Sequence, residues 1–155
     1  MYDSRSFTSR SLRTDGATAR PTPQLAADLI AAWNDHAPER IAAFYAPDFE
    51  GDDIAQPQPQ RGPGGIRRIT AYYFRAFPDL EVELDDLIVQ GDRAVLLWTW
   101  RGTHRGTFMR IPPTGRVVAV RGTTALTIEG GLIRRSSRMW DLAGLLRGLG
   151  LLPEL

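Results

Sequence analysis

The 155-residue chain contains no cysteine and no lysine. Without thiols there is no disulfide, no thiolate nucleophile and no cysteine-built metal site. Without lysine there is no Schiff base and no ammonium general base; all 19 basic residues are arginine. Histidine is nearly as scarce, with His36 and His104 alone, which argues against a His-built zinc site. A strong charge of either sign is also missing. Nineteen basic residues against 18 acidic ones leave a net charge of +1, too weak a field to draw in nucleic acid or an anionic membrane. No apolar run approaches membrane-spanning length. GxGxxG, GxxxxGK[ST], HExxH and GxSxG are all absent, and Gly62-Pro63-Gly64-Gly65 reads as a loop-to-helix turn. The expectation is a protein with no metal or nucleotide cofactor and no nucleic-acid or membrane partner.

What remains is an ordinary globular composition, 43% hydrophobic and 24% charged, with the length of one domain. Residues 1–21 are rich in Arg and Ser and lack a continuous apolar core. They read as a flexible polar tail, not a secretory leader, which gives the expectation of a cytoplasmic protein. Residues 22–155 read as the folded domain.

Thr22-Pro23 opens a helix with Leu25, Leu29, Ile30 and Trp33 at helical spacing, broken at Asn34–Pro38. A short helix over Glu39–Tyr45, a strand over Phe49–Ile54 and an exposed loop over Gln56–Gly65 follow. A third helix carries Ile66, Ile69, Tyr73 and Phe77 on one stripe. After Pro78 the period changes from 3.6 to 2, with a phase slip at Asp85-Asp86 that predicts a bulge. Strands are predicted at Leu80–Val89, Arg93–His104, Phe108–Ile111, Val117–Ile128 and Leu132–Trp140, then a helix over Asp141–Leu149. Helices first and a strand meander afterwards describe an α+β domain: a cone-shaped, half-open antiparallel sheet wrapped on three N-terminal helices, with a short C-terminal helix.

Asp52 and Asp53 are strand neighbours, so one of them faces inward. A carboxylate in an apolar pocket suits acid/base work; the alternative is that both are solvated or cap the loop. His104 ends the face of Leu96, Trp98 and Trp100. It is either a proton shuttle or a histidine bonded to a backbone carbonyl. His36, in the NDHAP turn, reads as a cap. Trp33, Tyr72, Tyr73, Phe77, Trp98, Trp100, Phe108 and Trp140 offer the aromatic area a flat polycyclic ligand needs, or are core. Arg121 and Arg138, on the last two strands, are candidates to hold an oxyanion or to lie on an outer polar face.

The run GTHRGTF, then IPPTGR, then DLAGLLRGLG resembles SnoaL-like polyketide cyclases. So do Tyr45-Ala46-Pro47-Asp48-Phe49 and AFPDL at 76–80, and together these motifs span roughly residues 24–152. The resemblance implies a small cone of the nuclear-transport-factor-two type, a homodimer, and cofactor-free acid/base chemistry on an enolisable, aromatic-polyketide-like substrate. Ring-closing members use an Asp late in the last strand, helped by a His on the preceding strand. Counting back from the C-terminal motif, those positions hold Arg138 and Thr124, and neither performs that proton transfer. His104 matches a histidine of the family. The expected site is therefore Asp52 or Asp53 as base with His104, in a cyclase or hydroxylase. The alternatives are a non-catalytic binding or scaffolding domain, and an epoxide hydrolase or isomerase acting on a terpenoid.

Overall fold

The computed structural model describes residues 19–155; most of the predicted tail lies outside them. Helices α1 (Thr22–Asn34) and α2 (Pro38–Ala42) lead into β1 (Tyr45–Asp53). Then come β2 (Gln60–Arg61), α3 (Gly62–Ala76), β3 (Glu81–Gln90), β4 (Arg93–Thr103), β5 (Val117–Glu129), β6 (Leu132–Trp140) and α4 (Leu142–Gly148). The six strands form one open sheet in the order β2-β1-β6-β5-β4-β3. The architecture is the expected α+β cone with one correction: β1 pairs with β6 in parallel, so the sheet is mixed. The chain between them, α3 and a three-strand meander, is long enough for the crossover a parallel pair requires.

The apolar spacing sets which helix faces are covered. On α1, Leu25, Ala26, Leu29 and Ala32 are buried; on α3, Gly65, Ile66, Thr70, Tyr73 and Ala76 are. Both stripes turn onto the concave face of the sheet. Where α1 ends, the Asn34 amide bonds both backbone groups of Val82. It accepts from Val82 N at 2.7 Å and donates to Val82 O at 2.9 Å. His36, at φ 50°, bonds the Leu80 carbonyl through Nε2 at 2.6 Å, as a residue closing a helix.

Three expected elements differ. Tyr45 begins β1 and is not part of α2, because its pairing with Ile133 outweighs its helical spacing. The register with β6 then slips between Tyr45 and Glu50, around Pro47, which has no N–H for the ladder. The predicted loop at Gln56–Gly65 contains the two-residue strand β2 and the start of α3. Phe108–Ile111 is a tight turn, not a strand: the two residues exchange backbone hydrogen bonds at 3.0 and 2.8 Å. Met109 and Arg110 between them take φ of 50° and 64°, the left-handed pair of a type I′ turn. The predicted bulge is present. Leu84 pairs with Trp98 and Asp86 with Leu97, so Asp85 is the extra residue, and its carboxylate accepts from Thr99 Oγ1 at 2.6 Å.

Strands β4 and β5 pair without a break from Arg93↔Thr127 to Thr103↔Val117. Gly122 lies opposite Trp98, and a Cβ there would sit 2.4 Å from the indole and 2.8 Å from the Met139 carbonyl. Gly122→Ala is therefore expected to cost about 1–3 kcal/mol through overpacking. It should appear as a lower urea midpoint with an unchanged slope.

Candidate active site

The concave face of the sheet and the inner faces of α1 and α3 enclose a cavity of about 110 Å³. Its walls are mostly apolar: Leu29, Ile30 and Trp33 from α1, Ile66 and Ile69 from α3, and Leu96, Trp98 and Trp100 from β4. Alternation along β4 turns Leu96, Trp98 and Trp100 to one side.

Polar groups enter from the other end of the sheet. On β1 alternation sends Gly51 and Asp53 inward and Asp52 outward. Asp53 is the carboxylate at the cavity. Its Oδ1 accepts from Trp140 Nε1 at 2.8 Å and from the Ala55 amide at 2.9 Å. Its Oδ2 faces Arg138 Nη1 at 3.8 Å. One oxygen is held by two donors, and the other has only the more distant guanidinium. Asp52 borders the cavity, but its side chain is exposed and accepts from Ser137 Oγ at 3.0 Å.

Arg138 is Asp53's register partner across the parallel pair. Its guanidinium carbon lies 4.8 Å from the Trp98 ring centroid and 5.1 Å from that of Tyr73. Aromatic faces stabilise a cation that has been drawn out of water. Thr124 pairs in register with Arg138, lines the same cavity and accepts from Trp98 Nε1 at 2.9 Å. The two positions reached by counting from the C-terminal motif thus share one space.

Two further polar groups face the cavity without partners. Tyr73 Oη and Trp100 Nε1 are buried and make no hydrogen bond. Burial raises the Tyr73 hydroxyl's pKa and pushes that of Tyr45, in the same wall, up to about 12. Both are therefore protonated at neutral pH, and Tyr73 is a donor. Buried polar atoms left unpaired carry a desolvation cost, which a ligand oxygen would remove. In the sequence Tyr73 counts among the aromatic residues available to a ligand, but its hydroxyl is not marked as a donor: on α3 it is one residue in an apolar stripe, and its hydroxyl gives no sign there of where it ends.

Six of the expected site residues therefore line the cavity: Asp52, with its carboxylate turned out, and Asp53, Trp33, Trp98, Trp100 and Arg138. Trp140 stands behind it, holding Asp53. The others are elsewhere. Arg121 is exposed on the convex face, in register with Thr99. Phe108 is completely buried among Tyr72, Tyr73 and Phe77, with ring centroids 5.2–5.3 Å away. Tyr72 Oη accepts from the Met109 amide at 2.5 Å, outside the cavity.

His104 does not line the cavity either. It is fully buried beside Phe77, at the base of the 104–116 loop. Its Nδ1 accepts from the Thr114 amide at 3.2 Å, and its backbone bonds Arg116 and Gly115. That acceptor places the ring proton on Nε2, which has no partner. A turn-rich loop needs such a knot, which spacing alone does not separate from a pocket histidine. Burial lowers the His104 pKa below 6.5. The unfolded chain then binds a proton that the folded chain refuses, so this stability is whole above pH 6.5 and lost as pH falls below it. The urea midpoint should drop as the pH falls below about 6.5, and His104→Asn should flatten that slope.

Among the described residues no group of three or more His, Cys, Asp or Glu could hold a metal, and no helix is long and apolar enough to cross a membrane. The sequence model of the SnoaL-like polyketide cyclase family matches residues 24–149. The chain belongs to that family. The SnoaL-like fold of this chain is similar to several solved structures. TsrD from Streptomyces laurentii is 33% identical, with 84% of this chain and 95% of that chain covered and a TM-score of 0.76. AclR from Streptomyces galilaeus, a candidate hydroxylase, is 27% identical over 84% and 85%, with a TM-score of 0.75. IdmH from Streptomyces antibioticus, a candidate polyketide cyclase, is 25% identical over 84% and 99%, with a TM-score of 0.74. No curated protein matches the sequence. The general class of this SnoaL-like chain is that of cyclases and hydroxylases acting on small molecules.

Proposed function

We propose that this SnoaL-like protein is an acid/base enzyme acting on an enolisable, polycyclic aromatic substrate of the polyketide kind, with Asp53 as the base. The observation that carries the reading is the divided role of the Asp53 carboxylate. Oδ1 is fixed by Trp140 and Ala55, and Oδ2 is left to Arg138, which lines the cavity beside it.

A flat substrate lies between Trp33 and Trp98, where aromatic walls give stacking area. Asp53 Oδ2 takes a proton from a carbon next to a carbonyl, and the C–H electron pair moves into an enolate. The enolate oxygen is held by the Arg138 guanidinium and by the unspent donors Tyr73 O–H and Trp100 N–H. Ring closure follows if the enolate carbon attacks a second carbonyl of the same molecule, whose alkoxide takes the proton back from Asp53. Oxygenation follows if the enolate reacts with dioxygen instead: the hydroperoxide formed at that carbon loses water and leaves a ketone, whereas stopping at a hydroxyl takes two electrons from an external reductant. Both fates share the first step, and ring closure requires no group beyond the chain and the substrate. A homodimer is supported by the convex face of the sheet, where Ile88 and Met139 are 55% and 57% exposed.

The first step is tested directly with a tricyclic aromatic β-keto ester in deuterium oxide. The protein is expected to accelerate exchange of the acidic C–H, read by NMR, and Arg138→Gln to slow it about 10²–10³-fold, as for loss of an oxyanion donor. Binding of the ester without faster exchange would instead make the chain a non-catalytic binding domain.

A further inference from the structure

Outside the cavity, α3 presents a second feature. Arg68, Tyr72 and Arg75 are spaced i, i+4 and i+7, which puts them on one helical face. With the Met109–Arg110 turn on one side and Ala55–Pro57 on the other, this face forms an open groove. Three guanidiniums line it, from Arg68, Arg75 and Arg110, and no carboxylate does. Among the described residues none of the three forms an ion pair; other arginines are unpaired too, and what marks these three is that they line one groove with no acid in it. On a chain of net charge +1 such a concentration of unpaired positive charge is local. The backbone geometry supports it: Arg110 is held at φ 64°, and the turn is tied to α3 through the Met109–Tyr72 hydrogen bond.

The groove adjoins the cavity. Gln60 and Ile69 stand in the walls of both. The Ala55–Pro57 side of the groove is the continuation of β1 past Asp53, and the Ala55 amide is itself a donor to the Asp53 carboxylate. An anion in the groove would therefore sit on the same short segment that fixes the base.

Resting on the proposed reading of the cavity, we propose that this groove is an anion subsite that takes a carboxylate or phosphate carried by the substrate. Arg68, Arg75 and Arg110 hold the oxyanion through charge-assisted hydrogen bonds, and the attached ring system passes Gln60 and Ile69 into the cavity. The subsite selects acidic substrates over their neutral esters and aligns the enolisable carbon with Asp53.

The test uses three probes: anthraquinone-2-carboxylate, its methyl ester, and coenzyme A, each titrated calorimetrically into the full chain. If the anion is a carboxylate, the acid binds about tenfold tighter than the ester. If it is a phosphate on a carrier, coenzyme A binds. In either case the triple variant Arg68→Gln/Arg75→Gln/Arg110→Gln loses the gain and binds the ester as before, and added salt weakens only the charged probe. The proposal is overturned if neither charged probe gains over the ester, if the variant keeps the gain, or if none of the three binds. Loss of ester binding alone, with coenzyme A still bound, would remove the reading of the cavity and leave the groove standing.

Discussion

Replacing Asp53 with asparagine is expected to lower turnover by about 10²–10⁴-fold, the usual contribution of a positioned general base. The substitution is close to isosteric. Asparagine keeps an oxygen to accept from Trp140 Nε1 and the Ala55 amide, the two bonds that set the side chain's position. What it loses is the charge, and the acceptor at Oδ2, the oxygen set against Arg138. The control is Asp52→Asn. Asp52 is adjacent in sequence, yet its carboxylate points away and accepts from Ser137, so this variant should keep turnover within about twofold, as surface changes usually do. Removing Asp53's charge also leaves Arg138 unpaired among its aromatic rings, which lowers stability. The comparison is therefore made below each variant's measured unfolding transition. If Asp53→Asn retains wild-type turnover, or Asp52→Asn loses it, the base has been assigned to the wrong carboxylate.

The largest effect on stability is expected at Phe108. Its ring is wholly buried between Tyr72, Tyr73 and Phe77, and it anchors a turn whose own backbone contributes only two hydrogen bonds. Phe108→Ala should cost about 3–5 kcal/mol, as for other buried Phe truncations. For a chain of this size that lowers Tm by roughly 6–20 °C, and differential scanning calorimetry reads it directly. Phe108→Leu fills more of the space and should recover at least half of the loss. A Phe108→Ala midpoint within a degree or two of wild type would mean that the 104–116 loop does not depend on this ring.

These two positions show what the sequence could and could not disclose. Alternation on β1 required one of Asp52 and Asp53 to face inward, and the family motif gave the cone, so the carboxylate pair was legible. Which member points in follows from counting two and four residues on from the buried Phe49 ring, through Gly51 to Asp53, and the sequence alone did not say that Phe49 was the inward residue. The face of Trp98 and Trp100 was readable from period 2, but that period also extended to His104, where the strand had already ended. Phe108–Ile111 looked like a strand because its residues favour extended backbone, while the turn there rests on left-handed Met109 and Arg110, residue types that carry no turn signal. The arginine groove was hidden for another reason. It is assembled from three segments, and only the fold makes neighbours of Arg68, Arg75 and Arg110.

The Asn34 side chain has a consequence that reaches past the monomer. β3 is the last strand of the sheet, and its outer backbone groups are a template onto which another chain could add a strand. By spending both ends of its amide on Val82, Asn34 closes the first rung of that ladder. The bulge at Asp85 then bends the strand just beyond it. A chain with these two devices resists edge-to-edge polymerisation at its most vulnerable border, which keeps a long, β-branched meander from becoming the seed of a fibril.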